Sequence, residues 1–334
     1  MQFSPCFLLG SAASALATPQ HRRRIAVVGH IFNLVLAAAL IPVHGQVLPV
    51  SGTVTTLAGS SGATGSSNGV GVSATFNAPA AVAMDVNAST VLVCDTGNHI
   101  IRRIICSTGE VSTLAGITGM PGSFDGPPTL AQFYGPSGVA ISTSGAVAFV
   151  GDSTNNLIRS IVVSTGVVST LAGSIVSSGS MDGRGSAASF YNPCGVAVNR
   201  ATTLLVVADQ GNSNIRLVNI TTAVVSTLAG KGSPGTEDGV GSSAAFFLPY
   251  GVAMDARGAI VIVADTRSSR IRIINVSTRN VTLLAGSTSS IYGTDGIGTQ
   301  VTFYFPQGVA VNAAGTLAMV VSTCSCSTRW RGMG

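Results

Sequence analysis

Apolar residues fall along this chain in short bursts, and the unit from Pro193 to Gly230 displays the pattern clearly. Gly195–Asn199 is a brief apolar run closed by a turn at Arg200-Ala-Thr, and Leu204–Ala208 is uniformly apolar and ends at Asp209. A Gly-Asn turn leads to Asn214–Asn219, and a further turn leads to Val224–Leu228. Runs of four to six β-prone residues separated by turn formers predict four strands. Beyond the N-terminal segment no stretch sustains an apolar stripe at helical spacing.

The same set of bursts returns along the chain. The leucine of a Thr-Leu-Ala-Gly-like motif stands at Leu57, Leu114, Leu171, Leu228 and Leu284, in steps of 57, 57, 57 and 56. Pro79, Pro136, Pro193, Pro249 and Pro306 keep that interval, as do Phe76, Phe133, Phe190, Phe246 and Phe303. Self-similarity at a fixed period means stacked supersecondary units. Four antiparallel strands repeated in tandem predict an all-β fold, a β-propeller, whose radial packing leaves little open sheet edge. The expectation is five four-stranded blades. The unit opening at Pro306 stops before a fourth strand, and Thr53–Leu57 at the other end supplies one, so the N-terminal strand closes the last blade. Ser322 stands where other units carry Asp, while Arg329 keeps the arginine register. A truncated C-terminus would raise the count to six blades or more.

Gly-Val-Ala-Val/Met-Asp/Asn, then Val-Ala-Asp, then Asn-x-x-Ile-Arg, then Val-Ser-Thr-Leu-Ala-Gly resembles the NHL-repeat family of β-propellers over about residues 47 to 323. The resemblance implies a binding platform more often than an enzyme. Family units are usually shorter, and six blades are common. Here a longer connection such as Gly232–Gly241 extends each unit.

Residues 1–45 read as a separate leader and 46–334 as the propeller. Arg22, Arg23 and Arg24 precede an apolar stretch from Ile25 to Pro42, and Val43-His44-Gly45 ends in a small residue. This describes a signal peptide cut after Gly45. An uncut anchor over residues 25–42 is the alternative, and would be the only membrane contact. A mitochondrial presequence is a third reading, since no acidic residue precedes Asp85. Export fits four N-glycosylation sequons, at Asn87, Asn219, Asn275 and Asn280.

Charge removes one class of partner. Only 9% of residues are charged, and beyond the three leader arginines the chain carries 14 basic and 12 acidic side chains. Nucleic-acid binding needs a concentrated basic footprint, so no nucleic-acid partner is expected.

Chemistry-bearing residues recur with the repeat. Asp95, Asp152, Asp209 and Asp265 each precede by seven residues Arg102, Arg159, Arg216 and Arg272. Recurrence at a strand end favours a turn carboxylate paired with an arginine fork over acid–base catalysis. Asn68-Gly, Asp125-Gly, Asp182-Gly, Asp238-Gly and Asp295-Gly read as tight turns rather than calcium loops. His99 is the only histidine outside the leader, which leaves no His-based metal or nucleophile cluster. Of the cysteines, Cys94 and Cys106 fit small buried slots, and Cys194 is free to pair with Cys324 or Cys326. No catalytic residue, metal site or cofactor is assigned.

Propeller topology places the first–second and third–fourth turns on one face, which gathers all four sequons. Glycans are bulky, so the opposite face is left for a partner. On that face the residues that differ between units are Ser137, Cys194, Tyr250 and Gln307 at the central rim and His99 and Asn156 in the adjacent turn, with Arg267 and Arg270 nearby. The reading is an exported or cell-surface, non-catalytic scaffold for protein or glycan ligands. The alternative is a metal-dependent lactonase-like or lyase-like enzyme with its ion in the channel.

Overall fold

The computed structural model of the protein describes residues 25–26, 37–40, 54–287, 293 and 295–322. Among these residues there is no α-helix, only strands and short 3-10 turns. In the third sheet the strands run from centre to rim as Pro193–Val198, Leu204–Asp209, Asn214–Asn219 and Val224–Ala229. Each is antiparallel to its neighbour. The second sheet repeats this order with Pro136–Ile141, Val147–Asp152, Leu157–Val162 and Val168–Gly173. The first sheet runs over residues 69–115 and the fourth over 239–286 in the same order.

The long connections contribute something the sequence pattern did not reveal. Gly69–Val70, Gly183–Arg184 and Gly239–Val240 add a fifth, two-residue strand outside the fourth strands of the first, third and fourth sheets. In the second sheet the same contact is a single bridge from Gly126 to Val168. The extended connection therefore covers an outer edge that would otherwise present unpaired N–H and C=O groups.

A last sheet holds Pro306–Val311 and Leu317–Ser322. The strand beside Leu317–Val320 is Ala37–Leu40, antiparallel to it. Val54–Thr55, within the expected closing strand, pairs in parallel with Ile25–Ala26 instead. An apolar stretch upstream thus takes the hydrogen-bonding edge that the sequence reading gave to residues 53–57. Arg22–Arg24, Gly45, Thr53, Cys324, Cys326 and Arg329 lie outside the described residues.

The innermost strands explain the circular arrangement. Segments Ala81–Ala83, Gly138–Ala140, Gly195–Val198, Gly251–Met254 and Val309–Val311 all line one central channel. Neighbouring inner strands approach at their glycines. A Cβ on Gly195 would lie 2.4 Å from Tyr250 O, and one on Gly138 would lie 2.1 Å from Cys194 O. Only glycine permits that approach. The chain is a β-propeller.

Apolar cores lie between sheets rather than within them. Val206 and Ala208 of one strand join Phe246, Val261 and Val263 of the fourth sheet. Their alternates Leu205 and Val207 join Phe149, Ile158 and Ala172 of the second. Successive side chains on a strand point to opposite faces. A strand buried on both faces is therefore apolar at every position, as Leu204–Ala208 is.

Candidate functional site

The face opposite the sequons is built on a repeated ionic clamp. Arg102, Arg159, Arg216 and Arg272 are fully buried, as are Asp95, Asp152, Asp209 and Asp265. Their Nη1 atoms donate to Oδ2 of those aspartates at 2.9, 2.8, 2.9 and 3.2 Å. Nη1 also reaches the carbonyls of Thr75, Gln132, Ser189 and Ala245. Each guanidinium lies 5.0 to 5.3 Å from the centroid of the repeating Phe76, Phe133, Phe190 or Phe246. A buried charge needs this density of partners.

Nη2 finds a second acceptor, and here the sequence reading is corrected. Asn68, Asp125, Asp182 and Asp238 accept from it at 2.9, 2.6, 2.8 and 2.5 Å. These Asn/Asp-Gly pairs are not tight turns. They are the outer jaw of the clamp, and the glycines of three of them open the fifth strand. The physical reason is valence, since one inner carboxylate cannot satisfy the five N–H donors of a buried guanidinium.

Burial pushes the carboxyls of Asp152, Asp209 and Asp265 up to about 6, against the pull of arginine and N–H donors. At neutral pH all three remain carboxylates. Their other oxygen organises the surface above. Oδ1 of Asp95, Asp152, Asp209 and Asp265 accepts the backbone N–H of Asn77, Tyr134, Tyr191 and Phe247 at 2.7 to 2.8 Å. The carbonyls of those four residues accept from Gly97, Thr154, Gly211 and Arg267 N–H.

The turn after each aspartate is a 3-10 turn ending in a left-handed residue: His99, Asn156, Ser213 or Ser269. His99 and Asn156 were expected to be free for a partner. The structure commits them to the next blade. His99 Nδ1 accepts Gly135 N–H at 3.2 Å, and Asn156 Oδ1 accepts Asn192 N–H at 2.8 Å. Ser213 Oγ takes Leu248 N–H at 3.5 Å. Burial lowers the His99 pKa, in keeping with a neutral acceptor. A second tie runs beneath, where Thr96, Ser153 and Thr266 hydroxyls donate to the carbonyls of Pro136, Pro193 and Pro306 at 2.6, 2.6 and 2.7 Å.

Other expected rim residues divide. Cys194 is 2% exposed and touches Asn192 O and Gln210 Oε1, so it lies under the face rather than on it. Burial pushes its thiol up to about 12. Arg270 is half-buried and donates to Thr236 O, holding a connection in place. Ser137, Tyr250 and Gln307 are half-buried, and Ser137 Oγ donates to Gly135 O. Arg267 is exposed, with its guanidinium 5.1 Å from the Phe305 ring centroid.

What the sequence reading missed is a ring of aromatic side chains on this face. Tyr134, Tyr191 and Phe247 are 42%, 52% and 37% exposed, and Tyr304 continues the series in a half-buried position. Each directly follows a buried phenylalanine, at Phe133, Phe190, Phe246 and Phe303. Adjacent extended residues point oppositely, so a doubled aromatic was the available signal.

The channel offers little chemistry. Its lining is Gly, Ala, Val and Met only, with a volume of about 60 Å³, against several hundred for a small-molecule site. No side chain there carries an oxygen or nitrogen ligand. Among the described residues no group of three His, Cys, Asp or Glu side chains gathers elsewhere. At the opposite end, Asn87, Asn219 and Asn280 are exposed and Asn275 is half-buried, all at first–second or third–fourth turns.

No family model matches the chain. Human NHL repeat-containing protein 2 is 29% identical over 293 residues, covering 78% of this chain and 39% of that protein. The bovine protein of the same name is 31% identical over 167 residues, covering 47% and 23%. The chain is similar in sequence to these NHL repeat-containing proteins. The chain spans about two fifths of the human relative's length. An auxiliary nutrient binding protein from Bacteroides thetaiotaomicron aligns with a TM-score of 0.50 at 13% identity, over 74% of this chain and 67% of that one. That likeness bears on the fold alone.

Proposed function

We propose that the chain is an exported or cell-surface NHL-type propeller of five blades that binds protein or glycan ligands without bond chemistry. Binding takes place on the face carrying Tyr134, Tyr191, Tyr250, Arg267 and Gln307. The observation that carries this reading is the division between the two ends of the sheets. All four sequons cluster at one end, while exposed Tyr134, Tyr191, Phe247 and Arg267 stand at the other. Five inner strands around one channel support the blade count. The apolar lining of the channel favours this reading over an ion-dependent enzyme.

In this reading residues 1–45 direct export and 46–334 form the propeller, and cleavage removes Ala37–Leu40 from the edge of the last sheet and leaves that edge to residues 53–57. Retention by an uncut segment over 25–42 is the membrane-bound version. Among the described residues no helix is long and apolar enough to cross a membrane. Expressing the full chain in cultured eukaryotic cells tests the export reading. Protein in the medium that begins at Gln46 and loses mass on treatment with an N-glycosidase is the expected result. Unglycosylated protein confined to the cytosol would overturn it.

A further inference from the structure

The choice between protein and glycan is decided by what the face has left to offer. Sugar recognition needs convergent polar groups to fix hydroxyls, alongside any flat ring. On this face the polar side chains of the inter-strand turns are already committed. Thr96, Ser153 and Thr266 hydroxyls hold proline carbonyls of the next blade, and His99 and Asn156 hold its N–H groups. The amides of Asn98, Asn155 and Asn212 bridge an aspartate to a glycine carbonyl. What projects outward is aromatic surface.

The rings are also held in advance. Tyr134, Tyr191 and Phe247 have backbone N–H and C=O both fixed by the aspartate turn behind them. Tyr191 packs over Gly211, where a Cβ would fall 2.5 Å from the ring. Tyr134 meets His99 edge to face at 5.4 Å. Large side chains on fixed backbone lose little entropy on binding, and tyrosine is a favoured interface anchor.

Charge narrows the partner further. The aspartates beneath the face are buried and paired. Arg267 is exposed, and no carboxylate among the described residues pairs with its guanidinium. The accessible charge beside Phe247 is therefore cationic.

Resting on the binding-face reading above, we infer that Tyr134, Tyr191 and Phe247, flanked by Arg267, form a docking surface for a protein segment bearing apolar side chains and a carboxylate. The rings take the apolar groups, and the Arg267 fork takes the carboxylate.

The test pans a phage-displayed library of random dodecapeptides on the full chain, and in parallel offers a panel of neutral and acidic oligosaccharides. Peptides enriched in Asp or Glu together with apolar residues are expected. Their affinity should fall about tenfold or more in Tyr191→Ala/Phe247→Ala and in Arg267→Glu, and stay unchanged in Val176→Ala. Arg267→Glu changes an exposed side chain and serves if the double variant misfolds. Failure to enrich acidic, apolar peptides, or equal binding by the variants, overturns the inference. Oligosaccharide binding lost in the same variants overturns the partner class while leaving the face intact. Binding lost only on altering Asn87 and Asn219 overturns the face as well.

Discussion

Two rings of residues lie side by side on the same face, and they behave in opposite ways. His99, Asn156 and Ser213 differ in chemical type from unit to unit, yet the first two accept a backbone N–H from the next blade at 3.2 and 2.8 Å, and the third approaches one at 3.5 Å. Tyr134, Tyr191 and Phe247 hardly differ, yet their rings face solvent. Variation between repeats is therefore a poor guide to function here. An imidazole, an amide and a hydroxyl share one property, a lone pair, and the clamp demands nothing more. Exposure and unspent bonding capacity separate the two rings, and neither can be read from a repeat alignment.

The sharpest way to break this contrast is to attack the support beneath both rings. Arg216→Met should cost about 3–5 kcal/mol, because it leaves Asp209 buried without its counter-ion. Urea unfolding of the full chain measures it, and a loss under 1 kcal/mol would mean the clamp is dispensable. Next in size is Gly195→Ala, whose Cβ would meet Tyr250 O at 2.4 Å. Such overpacking should lower stability by about 1–3 kcal/mol, read from the same unfolding curves.

The pH response of the inner carboxylates sharpens the comparison from below. The Asp152 pKa is raised to about 6 by burial, so between that value and the unfolded value the native state binds more protons. The stability that Asp152 contributes therefore rises as pH falls through that window and is lost as pH climbs back. The deficit of Asp152→Asn relative to wild type should be larger at pH 4.5 than at pH 7. A deficit that shrinks on acidification would reverse the sign.

Much of the scaffold was legible because the physics repeats with the text. Asn214–Asn219 is a strand over the span its sequence suggested, and Leu204–Ala208 extends only to Asp209. Apolar continuity, turn residues and period sufficed for these. The fifth strands escaped notice because Gly183–Arg184 is two residues long and lacks β-prone character. The Asp-Gly pairs misled because their carboxylates bond arginines 34 residues away, as Asp182 does with Arg216. Local turn chemistry cannot foresee that contact. The site was the least legible part, since Tyr191 and Asn156 differ in exposed valence rather than in pattern.

Smaller effects complete the contrast. Asn156→Ala strands Asn192 N–H between blades and should cost about 1–3 kcal/mol. Tyr191→Ala, half-exposed and removed from every core, should stay within about 0.5 kcal/mol of wild type in thermal unfolding. If Tyr191→Ala proved the more damaging of the two, the assignment of clamp and docking ring would be inverted.

The placement of the cores has a further consequence. Because four of the five clusters join residues from two adjacent sheets, and each of those seams uses a phenylalanine, alanines and branched side chains, a blade in the middle of the array has half of two cores and a whole one of none. Duplicating or deleting one genetic period would regenerate the same seam at the splice. Blade number in such a molecule can change in whole steps without any new interface having to arise.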